Sequence, residues 1–342
     1  MRNELRKMLV QAYRASPAAL KSLMSKAFFW LTGKPFVKKP YVLSSQKFPL
    51  GNQGGFIVSA DFELAWAFRF SRREPHPIEK ARQSRRNFPL LLKMFDEFEV
   101  PVTWATVGHL FLRSCGKGDH DWMHRIPHFE NAFWSYKTGD WFDADPCTSW
   151  EKAKEWYAPD LIEMILKSRI RHEVGCHTFS HIDFSDDRCP REVAEDEIKG
   201  CVDIAREWGI RLRSFVFPAG TYGNYEILKK YGFSAYRKSF DYELDYPFFD
   251  SLGLLAFPSA RGFGDNGRGW SARYFFRRFK KYVDKAIATQ TLCHFWFHPS
   301  VDGWFLDNVL PSILAYAAEK REAGVLWIGT MQELADHITK IE

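Results

Sequence analysis

Apolar, β-prone runs return at intervals down this chain, and most are separated by segments whose apolar residues recur at helical spacing. The runs fall at 55–60, 100–108, the stretch that enters His177, 214–218, 235–236, 254–258, 292–297 and 325–328. Between the first two, Ile78, Ala81, Phe88, Leu91, Leu92 and Phe95 mark a helix over about 77–99. Further helices are predicted at 159–168, 190–208, 225–231, 271–288, 310–322 and 331–338. Strand, helix, strand in repeated order demands a parallel sheet, because each crossover needs a dozen residues that a helix supplies. The expected class is therefore α/β, a distorted parallel (β/α) barrel of about seven strands in preference to a sandwich.

The front of the chain differs from the rest. The first 50 residues hold ten Lys or Arg against the single acid Glu4, so the net charge of +6 becomes −3 over the remainder. Residues 1–49 are expected to form a basic amphipathic helical extension, interrupted at Pro17, followed by a connector with Pro35, Pro40 and Pro49; residues 50–342 form the barrel. The helix could lie on an anionic membrane surface or pack on the barrel. The opening segment lacks the apolar core of a secretory signal, which points to the cytoplasmic side, with peripheral contact at the inner face of the membrane. The acidic body and the lack of a basic-aromatic signature argue against nucleic acid as a partner. Six cysteines without Cys-x-x-Cys spacing point to free thiols.

Chemistry concentrates in two places. His177 and His181 are four apart, which would put both on one face of a helical turn, where they could meet one ion or merely bond to nearby carbonyls. Far upstream, Asp61 and Glu63 close the run 55–60; in a strand they would project to the same side. Two histidines and a carboxylate make a three-donor hydrolytic site with room for water. The irregular, tryptophan-rich stretch from 114 to 159 is long enough to be a functional loop region, with Trp141, Asp143 and Asp145 as expected substrate contacts.

In combination these residues resemble the polysaccharide deacetylase (NodB-homology, carbohydrate esterase 4-like) superfamily over about residues 54–338. The resemblance rests on Asp61 and Glu63 in an Asp-x-Glu form of the first motif and on His177-Thr178-Phe179-Ser180-His181 as His-Ser/Thr-x-x-His. Val100-Pro101-Val102-Thr103-Trp104 resembles the family's second strand, and Trp296-Phe297-His298-Pro299 its final histidine motif. It implies a distorted barrel that removes an acyl group from a sugar. Asp61 would be the catalytic base, His298 the acid, and Glu63, His177 and His181 the ligands of a divalent metal, zinc first, with cobalt, nickel or manganese as alternatives. The Ala219 amide would serve the oxyanion.

The family's arginine before a Pro-x-Gly turn is missing, since this chain reads Val216-Phe217-Pro218-Ala219-Gly220. Arg213, Arg237 or Arg261 is expected to replace it, and Arg261 joins Ala219, Trp141 and Asp145 in the expected substrate and oxyanion set. His294 competes with His298 for the final role, and Asp241 or Asp245 would brace it. The expected substrate is an N-acetylated or otherwise acylated sugar of a polysaccharide, or its lipid- or nucleotide-linked precursor. The alternatives are hydrolysis of a small cyclic amide or ureide, and a sugar-binding homologue that has lost turnover.

Overall fold

The computed structural model describes residues 41–42, 51, 53–67, 78–125, 145–239, 243–264 and 269–341. The expected N-terminal helix lies outside them. The strands are β1 (Tyr41–Val42), β2 (Gly54–Phe62), β3 (Val102–Thr106), β4 (Glu173–Cys176), β5 (Ser214–Val216), β6 (Ala235–Ser239), β7 (Glu243–Leu244), β8 (Phe248–Phe249), β9 (Leu255–Ser259), β10 (Arg261–Gly262), β11 (Leu292–Phe297) and β12 (Leu326–Gly329). The helices are α1 (Ile78–Glu97), α2 (Pro159–Leu166), α3 (Arg191–Glu207), α4 (Tyr225–Lys230), α5 (Ala272–Thr289), α6 (Gly303–Asn308), α7 (Leu310–Glu322) and α8 (Met331–Ile341). No helix among the described residues is long and apolar enough to cross a membrane.

The sheet runs β10-β11-β2-β3-β4-β5-β6-β9-β8, all parallel except the β8–β9 pair. β9 and β10 are one stretch of chain on either side of Ala260, whose N–H donates to the His294 carbonyl at 2.7 Å. That stretch pairs with β6 through Leu255–Ser259 and with β11 through Arg261–Gly262, so the sheet curls until its ends meet in a ring of seven strand positions. β12 pairs with Gly54–Ile57 and β3 with Val58–Phe62, so the two share one edge of β2 and distort the barrel there.

Period-two alternation on β2 separates two environments. Phe56, Val58, Ala60 and Phe62 face the outer core, where α1 lays down Phe88 and Phe95; Phe88 stacks between Phe62 and Trp104 at 4.7 Å from each ring. Ile57 faces a second apolar cluster with Leu255, Phe257 and Leu292, plugged by Met331 and Leu334 of α8. Above Ile57 on the same side come Ser59 and Asp61, both buried. The barrel interior is thus apolar at its base and polar toward the C-terminal ends of the strands, where parallel barrels carry their chemistry. Helix starts follow local chemistry: the Ser271 hydroxyl caps α5, and the Asp302 carboxylate accepts from Phe305 N–H at 2.8 Å to cap α6.

Candidate active site

At the end of β2 the chain leaves the sheet at Glu63 and turns through Leu64, whose φ is +46°. Glu63 thus lies just past the strand, and it and Asp61 both face His298, at 3.2 and 3.9 Å. His177 follows directly on β4, and the stretch to His181 is a loop, not the helical turn that the spacing suggested. Thr178 and His181 have φ of +59° and +56°, a left-handed conformation that costs a non-glycine residue about 1 kcal/mol or more. The loop persists because it is held from several sides. Phe179 and Ser180 N–H both donate to Glu197 Oε2 at 2.9 Å, and the Ser180 hydroxyl donates to Oε1 at 2.8 Å. His177 N–H donates to the Thr106 carbonyl, and the Gly108 N–H takes the Thr178 carbonyl. A side chain at Gly108 would meet Cys201 Sγ and the Phe179 ring at 2.8 Å, so only glycine allows that approach.

The loop brings the two imidazoles onto one carboxylate oxygen. His177 Nε2 is 3.3 Å and His181 Nε2 3.0 Å from Glu63 Oε2, and all three residues are buried. His177 Nδ1 is 2.7 Å from the Val216 carbonyl, which fixes its proton on that nitrogen. Its Nε2 then presents a lone pair to a carboxylate oxygen. Two acceptors held this close need a shared electrophile between them, so the donor set fits a divalent cation. Burial pushes Glu63 upward, but the neighbouring His298 and His181 charges help to outweigh it, and the carboxyl is held well below the usual range.

Asp61 is gripped by Arg237 of β6. The guanidinium donates to both carboxylate oxygens, at 2.6 and 2.8 Å, and to Ser59 Oγ at 3.0 Å. Arg237 lies over the Trp296 ring, 5.1 Å from its centroid. Burial raises Asp61, but the guanidinium overrides it and keeps the carboxyl lowered and ionised. This is the cation whose usual motif position holds Phe217. It comes instead from the next strand, paired in register Val216 to Arg237. The other two expected substitutes sit elsewhere: Arg213 pairs with Asp336 at 2.9 Å, and the Arg261 charge acts on Tyr282, whose hydroxyl it pulls down against the effect of burial.

His298, just past β11, separates from His294 by depth. His298 Nε2 is 3.2 Å from Glu63 Oε1 and 3.9 Å from Asp61 Oδ2, and its side chain is 40% exposed. Burial draws its pKa down, but the Glu63 carboxylate beside it raises it more. His294 is fully buried on Ser59 Oγ at 2.9 Å, where desolvation and the nearby Arg237 charge push it down to about 3. It is a neutral strut beneath the site.

The remaining candidates divide. Ala219 is exposed in a turn directly after β5 with φ of +48°. The bonds that close this turn run from Gly220 and Thr221 N–H, leaving the Ala219 N–H outside them. Trp141, Asp143 and Asp241 lie outside the described residues. Asp145 is not in the Glu63 cluster; it is buried against His109 and Cys115. Asp245 accepts the N–H of its neighbour Tyr246, and its carbonyl accepts from Leu292 N–H at the start of β11, the opposite end of that strand from His298. Sequence reasoning missed Glu197. Its signal was an acid on the apolar stripe of α3, between the buried Val193, Ala194, Ile198 and Cys201.

The sequence pattern of a polysaccharide deacetylase family matches residues 81–236, which takes in His177 and His181 and stops one residue before Arg237. No curated protein matches the sequence at a significant level. Among solved structures, one described as a polysaccharide deacetylase from Mycobacterium smegmatis superposes with a TM-score of 0.58 at 14% identity, covering 89% of this chain and 94% of that one. Another so described, from Pseudomonas aeruginosa PAO1, gives 0.56 at 14%, covering 83% and 90%. The Puue allantoinase gives 0.57 at 14%, covering 84% and 91%. At that identity the likeness is one of fold.

Proposed function

We propose that this chain, which belongs to the polysaccharide deacetylase superfamily, is a metal-dependent hydrolase that removes an N-acetyl group from a sugar of a polysaccharide or its precursor. One observation carries the reading: two imidazole nitrogens meet a single carboxylate oxygen at 3.0–3.3 Å, beside a second carboxylate held ionised by an arginine. Glu63, His177 and His181 would hold the cation, zinc first, which when bound polarises the scissile carbonyl and acidifies water.

The protein's own groups account for the proton transfers. Asp61, kept ionised and aimed by Arg237, accepts the proton of the attacking water. Because the guanidinium binds both oxygens, the carboxylate cannot rotate away between turnovers. The Ala219 N–H donates to the oxyanion that forms as the carbonyl becomes tetrahedral. His298 in its protonated form gives a proton to the departing amine, which otherwise leaves poorly. Its partial exposure suits a group that must reload from solvent. The presence of Arg237 removes the main ground for reading the chain as a sugar-binding homologue without turnover, since the cation missing from the motif is supplied by the next strand.

The test is acetate release by the zinc-loaded protein from a panel of N-acetylated and O-acetylated oligosaccharides, with a cyclic ureide alongside and Asp61→Asn as control. Release from an N-acetylated sugar that vanishes in the variant is expected. Turnover of the ureide alone would assign the site to small cyclic amides, and no turnover of any member would contradict the deacetylase reading.

A further inference from the structure

A second cluster of metal-binding side chains lies next to the first and takes no part in the chemistry described above. His109 stands on the short helical turn after β3, Cys115 and His120 follow it, and Asp145 comes 25 residues after His120 in the sequence. One donor atom from each of the four lies within 4.8 Å of those of the others. His109 Nε2 to Asp145 Oδ2 is 3.2 Å, Cys115 Sγ to His109 Nε2 is 3.5 Å, and Cys115 Sγ to Asp145 Oδ2 is 3.5 Å. Zinc bonds of about 2.0–2.3 Å place tetrahedral donors about 3.3–3.7 Å apart, so three corners already stand at the edges of such a polyhedron.

The hydrogen bonds around these donors orient them inward. His109 Nδ1 faces the Trp156 carbonyl at 3.3 Å, which turns Nε2 and its lone pair toward Asp145. Asp145 Oδ1 accepts the Cys147 N–H at 2.9 Å, leaving Oδ2 for the cluster. The Tyr157 hydroxyl lies 3.0 Å from Cys115 Sγ, where it can donate to a thiolate. The fourth corner supplies an independent observation: His120 Nε2 is buried with no hydrogen-bond partner. A buried nitrogen left without a partner costs about 1–3 kcal/mol, and a fourth bond to a shared ion would relieve it.

We propose that His109, Cys115, His120 and Asp145 bind a structural zinc ion, separate from the candidate active site and serving to brace it. Four protein donors, one of them sulfur, match a closed zinc site that leaves no position for a reactant. The bracing is direct. His109 N–H donates to the Phe179 carbonyl inside the His177–His181 loop. The carbonyl that orients His109 also accepts Trp66 Nε1–H at 3.0 Å, and Trp66 N–H closes the turn on Glu63 O. Ordering His109 therefore orders both backbone segments that present the first cluster.

Cobalt titration of the metal-free full-length protein tests this without reference to activity. The expected result is two equivalents bound, one of which brings a thiolate-to-cobalt charge-transfer absorption in the near ultraviolet. Cys115→Ser should lose that absorption and one equivalent, His120→Gln should weaken the same equivalent, and His177→Ala should lose the other equivalent while the absorption stays. Binding without any thiolate absorption in the parent protein would overturn the proposal, and that reading needs no variant to fold. Two equivalents retained in Cys115→Ser would overturn it as well. Loss of the His177-dependent equivalent alone would count against the proposed active site and leave this one standing.

Discussion

The two histidine clusters at the top of the barrel are neighbours built from similar donors, and they differ in what surrounds them. Glu63, His177 and His181 offer three donors, with Asp61 on one side and the partly exposed His298 on the other. His109, Cys115, His120 and Asp145 offer four, walled in by Trp66, Tyr157 and Phe179. A set of three leaves a coordination position for water or a carbonyl, whereas four donors of which one is a thiolate leave none. The difference teaches that a histidine cluster is read by its vacancies and its neighbouring acids and bases: the first is arranged to react, the second to hold.

The sharpest way to break this division is to compare Asp61→Asn with Cys115→Ser. The first should lower kcat by about 10²- to 10⁴-fold, the span of a lost general base, with metal content unchanged. The second should lower kcat by much less, through looser support of the first cluster, while removing one equivalent of metal. Equal losses of kcat in steady-state assays would abolish the distinction.

Arg237→Met probes the first cluster alone. It strands a buried carboxylate and should destabilise the fold by about 3–5 kcal/mol in denaturant titrations at neutral pH. The pH dependence has a definite sign. Because Asp61 has a lowered pKa in the folded protein, its contribution is fully present above the ordinary carboxylate value and is lost as pH falls through the folded value. The gap between parent and variant should thus be widest at neutral pH and shrink in acid, and the acid limb of kcat/KM should move to higher pH in the variant. A gap that grows on acidification would refute the pairing.

For the second cluster, ligand linkage sets the scale. At free zinc about 100-fold above its dissociation constant, binding to the native state adds about 2.7 kcal/mol, and Cys115→Ser should remove that increment from thermal unfolding. A variant whose unfolding still responds to zinc as the parent's does would show that the cysteine is idle.

The smallest effect is expected where the clusters share support. Glu197→Gln weakens the grip on the left-handed loop, and zinc affinity at the first cluster should fall by about 10- to 100-fold. Isothermal titration on the Cys115→Ser background isolates that change. Unaltered affinity would mean that the loop keeps its shape without the carboxylate.

Much of this architecture was legible in the sequence because its signals are local. α7 at Leu310–Glu322 and β11 at Leu292–Phe297 fall where periodicity put them, and α1 lies within three residues of its expected ends. Joining β9 to β10 through Ala260, which closes the ring, leaves no local mark; nor does the division of one β2 edge between β12 and β3. The loop at 177–181 read as helical because four-residue spacing is helical by default, and only the contacts from Glu197 and Gly108 select the left-handed alternative. Arg237 stood among three candidates that sequence distance could not rank, since its approach to Asp61 depends on which strands adjoin across the barrel. Asp145 read as a substrate contact because His109 and Cys115, its partners, are 36 and 30 residues away.

The reactivity of the first cluster depends on residues 63, 177 and 181 enclosing one cation. An anomalous difference map collected at the zinc edge from crystals of the zinc-loaded protein tests it most directly. A peak is expected within bonding distance of His177 Nε2, His181 Nε2 and a Glu63 carboxylate oxygen. A zinc-replete crystal with no anomalous density between those three atoms would contradict it.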